Sequence, residues 1–456
     1  MSILGHRKSS GVPECQDRFG VVKTGRMDMT TGSAWEKGFE VVKTLREAGY
    51  VAYLAGGCVR DKLLGLAAKD VDVATDAPPS RVRELFKRTR AVGQSFGVIL
   101  VRLGRDQIEV ATFRSDGIYR DGRHPEQVRF ASAEEDARRR DFTMNGLFYD
   151  PLSDRVIDYV GGVNDLKARI LRAIGDPKQR FDEDHLRMLR AVRFAARFDL
   201  TIDPATSDAI RQDAPLITRI SGERVADELR RMLPPPTRAK AFQLLWDHRL
   251  LEPITGLACP GNSLLSERSL VLSLPEEPVH FAVGLLCLAI DTRWQGGGAR
   301  QDLLGNFSSA EMSEMVNGLR KKLKLSNEEC DEMIGTAGLV HRLLHTRQWT
   351  VAGIKRACAD RYADSARIVL QALYKSGFAS DRVQQALEKL RAYPAVECAP
   401  RPLLTGDHLV AAGYRPGPVF KQVLDRVYDA QLENRVHTLE EALELARHFL
   451  TNRPQT

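Results

Sequence analysis

The sequence predicts an α+β chain, with strands confined to its N-terminal part and helices alone beyond it. Three observations carry this. Asp70-Val71-Asp72-Val73 alternates acidic and apolar residues, the period of a half-buried strand. Gly97–Leu103 and Gln107–Phe113 are two more strand-like runs, joined by the hairpin signal Gly104-Arg105-Asp106. From Phe181 onward the apolar residues recur at helical spacing.

The chain has 456 residues, more than one ordinary domain, and its 43% hydrophobic content is enough for packed cores. A net charge of +7 suits a protein that meets phosphates. No apolar run has transmembrane length and no signal-peptide pattern opens the chain, so no membrane association is expected. The seven cysteines (Cys15, Cys58, Cys259, Cys287, Cys330, Cys358 and Cys398) form no CxxC and no zinc spacing. Free thiols in a reducing cytoplasm are the expectation.

Residues 1–33 are polar and aperiodic, expected to be a flexible extension or the product of a start placed too early, with Met27 and Met29 as alternatives. Phe39, Val42 and Leu45 give Trp35–Ala48 helical spacing, and Gly49 stops it. Next comes the stretch around which the chain is organised, Tyr53–Pro79. An apolar run ends in Gly56-Gly57, where backbone N–H groups and a helix start can approach an anion. A short helix follows, with Arg60 and Asp61 beside Val59, Leu63 and Leu64. Then Asp70 and Asp72 project from one strand face, and two such carboxylates repel unless a cation lies between them. Mg²⁺ takes such a pair when it also holds substrate phosphates. Either half alone is common in unrelated chains; their succession within one unit is not. No GxxxxGK[ST] follows, which disfavours Walker-type chemistry.

Ser80 is the expected N-cap of a helix over Val82–Lys87. Glu109 lies in the strand after the hairpin. Ser115–Phe130 is a long polar loop of the kind used as a binding loop or lid. In Arg138-Arg139-Arg140-Asp141 and Asn145, guanidinium groups suit phosphate, while the Asp and Asn suit ribose hydroxyls. Over Phe181–Leu200, Met188, Ala191, Val192 and Ala195 form the core face of one helix. Arg187, Arg190, Arg193 and Arg197 line the other side, with Asp184 one turn earlier. No acidic partner for this column is evident nearby in sequence. Residues 230–400 are Leu-, Ala- and Arg-rich, broken at Pro234-Pro235-Pro236 and Gly296-Gly297-Gly298. His280 and Asp291 are too far apart to form a metal dyad there. Gly413–Pro418 is a turn between two helices, and Thr438-x-x-Glu441 a capping box for the last one.

LAGGCVRDKLLG…KDVDVAT, RRDFTMN and Glu183-Asp184-x-x-Arg187 together resemble the motifs of class II tRNA nucleotidyltransferases (the CCA-adding enzymes) and bacterial poly(A) polymerases. The resemblance implies a head of the DNA polymerase β type with a mixed sheet, then an all-helical neck, body and tail. Placed on this chain, the head spans 34–165, the neck 166–230, the body 231–400 and the tRNA-binding tail 401–456. It also implies two Mg²⁺ ions on Asp70 and Asp72, with Glu109 a further candidate for the catalytic carboxylate set. Gly57, Arg60 and Arg140 would hold the triphosphate, and Asp141 and Asn145 the ribose. Asp184 and Arg187 would read the base, with Arg190 and Arg193 beside them. Asp121, Arg123 and Pro125 match the family's flexible loop, which points to terminal adenylation. Gly146 stands where the family motif has Ala, and His185 where it has a small residue or Pro; neither change is expected to matter. Glu223–Leu229 resembles the family's ERxxxEL motif and is expected to be structural. The expected reaction is addition of CCA, or its terminal A, to tRNA from CTP and ATP in the cytoplasm. A poly(A) polymerase or an A-only-adding enzyme is the nearest rival, and a non-catalytic RNA-binding protein is a rival of another class.

Overall fold

The computed structural model describes residues 21–22, 32–68, 70–92, 97–116, 128–257, 269–294, 309–377 and 380–451. Most of the expected N-terminal extension lies outside them, as do Asp121, Arg123 and Pro125 of the long loop and Gly296-Gly297-Gly298. The chain divides into two compact units, Met1–Ile220 and Ser221–Thr456.

The first unit holds helices α1 (Gly32–Glu47), α2 (Gly57–Leu63), α3 (Pro79–Leu85), α4 (Ala133–Arg138), α5 (Gly162–Lys167), α6 (Pro177–Glu183), α7 (Leu186–Arg197) and α8 (Pro204–Asp213). Its strands are β1 (Val21–Val22), β2 (Ala52–Ala55), β3 (Asp72–Thr75), β4 (Thr89–Ala91), β5 (Val98–Leu103), β6 (Asp106–Thr112), β7 (Arg114–Asp116), β8 (Val128–Phe130), β9 (Leu147–Asp150), β10 (Arg155–Asp158), β11 (Ile170–Leu171) and β12 (Thr201–Ile202). Eight form one mixed sheet, in the order β1-β10-β9-β2-β3-β6-β5-β4. Among the described residues of this sheet, β3 and β6 pair in parallel and the other neighbours are antiparallel; β11 and β12 form a separate parallel pair. The hairpin expected at Gly104-Arg105 joins β5 to β6.

Alternation sets the faces. Along β6, Ile108 and Val110 are buried while Gln107 and Glu109 are exposed. α1 lays Val41, Val42 and Leu45 against β2, β3 and β6. Fully burying each such side chain contributes about 1.5–3 kcal/mol. A second cluster gathers Phe113, Phe148, Ala55, Ala74 and Ala137, with Tyr53 and Tyr159 packed on it. Its rings meet at 5.9–6.4 Å.

The second unit is helical among its described residues, from Gly222–Met232 to Leu439–Thr451. Its C-terminal part has its own core of Leu404, Leu409, Val423, Val427, Ala442 and Ala446. The Gly/Pro turn expected at Gly413–Pro418 separates helices Gly406–Ala411 and Pro418–Leu432. Thr438 caps the last helix through the Glu441 N–H at 3.2 Å, and Glu441 reaches back to the His437 N–H instead of to that of Thr438. Asp291 caps another helix, accepting from Ser269 Oγ and the Leu270 and Val271 N–H groups. Glu228 of the ERxxxEL segment is buried. Cys58, Cys287, Cys330, Cys358 and Cys398 are free thiols; Cys15 and Cys259 lie outside the described residues.

Three local expectations are corrected. α3 starts at Pro79 behind Pro78, so Ser80 is inside the helix and not its cap; proline's fixed φ already suits a first turn. Strand β3 begins at Asp72, leaving Asp70 exposed in the segment before it. The helix expected from Phe181 is two helices, broken at Asp184, whose φ of −155° and ψ of 105° are extended. The Asp184 carboxylate accepts from the Leu186 N–H at 3.0 Å, which opens the second helix.

Candidate functional site

The site grows from the parallel strand pair. Asp72 and Glu109 are register partners on β3 and β6, and both are exposed. Paired strands lie about 4.8 Å apart, so the two carboxylates stand side by side. Asp72 is pushed up to about 6. Desolvation comes first, then Glu109; Asp70 adds to the rise, while Arg140 opposes it. Asp72 thus exposes surface to solvent although protein crowds its carboxyl group, a fitting place for a cation. Among the described residues no group of three or more His, Cys, Asp or Glu converges into a cage.

Arg140 is brought to this edge by the turn after α4. It donates to Asp136 Oδ2 from Nε and Nη2, at 3.2 and 2.9 Å, and from Nη1 to the Asn145 carbonyl. Its guanidinium lies 4.9 Å from the Phe148 ring centre. Gly56 makes room for it: at φ +68° it has no Cβ, and one built there would fall 2.9 Å from Arg140 Nη1. Asp136, buried and shared with Arg139, is a residue the sequence reading missed. Burial alone would raise its carboxyl; Arg140 and then Arg139 hold it below the usual value. The signal was its i, i+4 spacing to Arg140 behind the Ser132–Glu135 capping box.

Arg60 is expected beside the helix start but is buried in α2. Nε and Nη2 donate to Asp61 Oδ1 at 2.8 and 2.6 Å, and Nη1 donates to Asn145 Oδ1 at 2.6 Å. Asn145 passes the network on through Nδ2 to Asp141 Oδ1 at 2.9 Å. Asp141 Oδ2 accepts from Arg190 Nε and Nη2 at 2.8 and 2.6 Å, and Oδ1 also accepts from the Phe142 N–H. Four donors occupy the roughly four lone-pair positions of this carboxylate. Burial alone would raise Asp141, but Arg190 and the Asn145 hydrogen bond hold it down at about 2.

The arginine column of α7 has the acidic partners that were not evident nearby in sequence. Arg190 pairs with Asp141, Arg187 with Glu183, and Arg197 Nη2 lies 3.8 Å from Asp61 Oδ2. These acids come from α2, α6 and the turn after α4, so short-range reading finds only Glu183. Arg193 is buried, against the expected open face, with its guanidinium 4.2 Å from the Phe194 ring centre. Arg187 also donates to the Arg180 carbonyl at 2.9 Å. Gly57 opens α2, and a Cβ there would lie 3.5 Å from Arg60 Nη2. His185 is buried with Nδ1 unpartnered, in the break between the two helices. A Cβ at Gly146 would meet Val160 Cγ2 at 2.7 Å and Ile174 Cδ1 at 3.2 Å, so an Ala there requires these side-chain ends to shift.

A family model described as the poly A polymerase head domain matches residues 52–172. Another, described as a probable RNA and SrmB-binding site of polymerase A, matches residues 199–257. The chain is 30% identical over 421 residues to a CCA-adding enzyme of Streptococcus suis, covering 90% of this chain and 96% of that one. It is 32% identical over 412 residues to the CCA-adding enzyme of Geobacillus kaustophilus, covering 90% and 95%. Over 247 residues it is 38% identical to poly(A) polymerase I of Haemophilus influenzae, covering 51% and 54%. The crystal structure of the Bacillus stearothermophilus CCA-adding enzyme in complex with CTP matches with a TM-score of 0.68 at 28% identity, over 92% of this chain and 99% of that one. The Thermotoga maritima CCA-adding enzyme, complexed with tRNA, shares the fold, with a TM-score of 0.63 at 19% identity over 93% and 97%.

Proposed function

This chain belongs to the family of CCA-adding enzymes and bacterial poly(A) polymerases, and from that premise we propose that it adds CCA, or its terminal A, to the 3′ end of tRNA. CTP and ATP are the donors, pyrophosphate leaves, and no template is used. The single observation that carries the chemistry is the pairing of Asp72 with Glu109 at one register of the parallel strands, with Arg140 close enough to lower Asp72.

The donor set fits a hard divalent cation, because Asp72, whose carboxyl burial and the neighbouring Glu109 raise, sits beside further carboxylates that offer oxygen ligands. Asp70, Asp72 and Glu109 would hold it, and Mg²⁺ is the ion we propose. When bound, it supplies charge neutralisation and activation of the attacking 3′ oxygen. Arg140, reaching past Gly56, faces the triphosphate; Gly57 leaves backbone open to it, and Arg60 contributes the N–H groups that Asp61 and Asn145 leave free. A ribose hydroxyl binding at Asp141 must replace one of the four donors already there. Asp184 and Arg187 are the proposed base readers, beside Arg190 and Arg193. The head is assigned to 34–165, the neck to 166–230, the body to 231–400 and the tRNA-binding tail to 401–456. Asp121 and Arg123 belong to the proposed flexible loop. The cytoplasm, where tRNA matures, is the proposed location; no described helix is long and apolar enough to cross a membrane.

Several CCA-adding relatives, those of Streptococcus suis and Geobacillus kaustophilus among them, match along 90% of this chain, which supports this reading. The test is incubation with tRNA ending before CCA, after C and after CC, each NTP given singly with Mg²⁺. Ordered C, C, A addition is expected. Long A tails on any RNA would replace this function with poly(A) synthesis, and growth only after CC would make the enzyme A-only.

A further inference from the structure

The guanidinium groups of the network rest on two rings. Phe194 and Phe198 of α7 and its C-cap are buried and stacked, with centres 6.1 Å apart and 19° between planes. Arg60 lies 4.4 Å from the Phe198 centre and 5.3 Å from that of Phe194. Arg190 and Arg193 lie 5.2 and 4.2 Å from Phe194, and Arg197 4.9 Å from Phe198. Like charges gathered this closely repel, and burial further disfavours the charge on Arg60. The opposing terms are the negative ring faces and Asp61, whose Oδ1 takes two Arg60 N–H groups while Oδ2 faces Arg197. Asp61 is itself buried.

We propose that Asp61 and Phe198 are positioning residues of the nucleotide site. They fix Arg60 from two sides, the carboxylate through two N–H groups and the Phe198 ring with its centre 4.4 Å from the guanidinium carbon. With Arg60 fixed, Asn145 is fixed, and through it Asp141 and Arg190. Binding then needs no ordering of long side chains, which lowers its entropic cost. The proposal rests on the reading of Arg60 as part of the triphosphate grip.

The experiment uses full-length protein, tRNA lacking CCA, and CTP. Phe198→Leu keeps an apolar side chain but removes the ring face; Asp61→Asn keeps an acceptor but removes the charge. Each is expected to raise KM for CTP about tenfold, the scale of a desolvated cation–π or charged hydrogen bond, with a much smaller change in kcat. Arg60→Lys gives the reference, and Arg60→Lys/Phe198→Leu closes a double-mutant cycle. The double variant should be no worse than the worse single one. Additive losses, or an unmoved KM in Phe198→Leu beside a raised KM in Arg60→Lys, overturn the positioning role and leave the Arg60 reading intact. A wild-type KM in Arg60→Lys removes that reading and the proposal with it.

Discussion

Asp72 and Glu109 face each other across the parallel strand pair, and the carboxyl of Asp72 is raised to about 6 by desolvation and then by Glu109. Unfolded Asp titrates near 3.9, so the folded state binds this proton more tightly. Stability from this group is therefore present at low pH and lost as pH rises through the window from about 4 to about 6. At pH 7.5 without metal the ionised pair opposes folding. Asp72→Asn should then raise the melting temperature in chelator by roughly 1–3 °C, a small gain because solvent screens the pair. Mg²⁺ should stabilise the wild type and not this variant, and nucleotide addition should be lost. Thermal scans with chelator or Mg²⁺, beside a primer-extension assay, check it. Equal Mg²⁺ stabilisation of both proteins counts against the metal assignment.

Gly56 gives a second prediction. Its φ of +68° and the 2.9 Å approach of Arg140 Nη1 leave no place for a methyl group. Gly56→Ala should destabilise by about 1–2 kcal/mol through the left-handed backbone alone. It should also displace Arg140 and so raise KM for CTP and ATP alike. Denaturant titration and KM measured for CTP and ATP read the two effects separately. A stability loss with unchanged KM would place Arg140 outside the triphosphate grip.

The sequence showed three central strands of the sheet and the chemistry-bearing residues because both follow short periods, but not β1, β4, β9 or β10. Alternation marked β3, β5 and β6, and the GG, DxD and RRD runs each lie within a few residues. It did not show the partners of the α7 arginines. Asp141 lies 49 residues before Arg190 in the chain, and Asn145 lies 85 residues after Arg60. No helical or strand period reports pairings at such separations. Phe194 and Phe198 were not singled out, since rings set against guanidinium groups leave no mark in a hydrophobic pattern. The break at Asp184 was hidden for a local reason: extended Asp184 closes α6 while its carboxylate opens α7, so apolar spacing runs on through it.

Asp141 supplies a prediction of the opposite sign. Its carboxyl, held at about 2 mainly by Arg190 against the cost of burial, is depressed below the unfolded value. Its stabilisation is complete above pH about 4 and lost as pH falls toward about 2. Taken as a shift of nearly two units, it contributes on the order of 2 kcal/mol at neutral pH. Asp141→Asn should lose about that much stability, by a margin that is flat from pH 5 to about 8 and narrows below about 4. Urea titrations across pH measure the margin. A loss that keeps its size at pH 3 would point to packing, not charge.

Glu183 provides the last test. It takes Arg187 as partner and also accepts from Arg180 Nη1 at 2.9 Å, while Arg180 donates to the carbonyls of Arg138 and Arg139. Arg187 is thereby fixed from one side, next to the extended Asp184. C and A each place an amino donor beside a ring acceptor, whereas U and G present a carbonyl there. A fixed Asp and Arg pair can accept from the one and donate to the other, and a wrong base leaves buried groups unpaired at a cost of about 1–3 kcal/mol each. Fixation matters because a guanidinium free to swing could follow a carbonyl. Glu183→Gln weakens the hold on Arg187 without touching Asp184. It should relax discrimination against UTP and GTP by roughly tenfold, the worth of about 1.4 kcal/mol, while KM for CTP moves little. Asp184→Ala should relax it further, since the acceptor itself is gone. Single-nucleotide incorporation with all four NTPs on tRNA lacking CCA gives the ratios. If both variants slow every base equally and keep wild-type ratios, Asp184 and Arg187 shape the break between α6 and α7 and do not read the base.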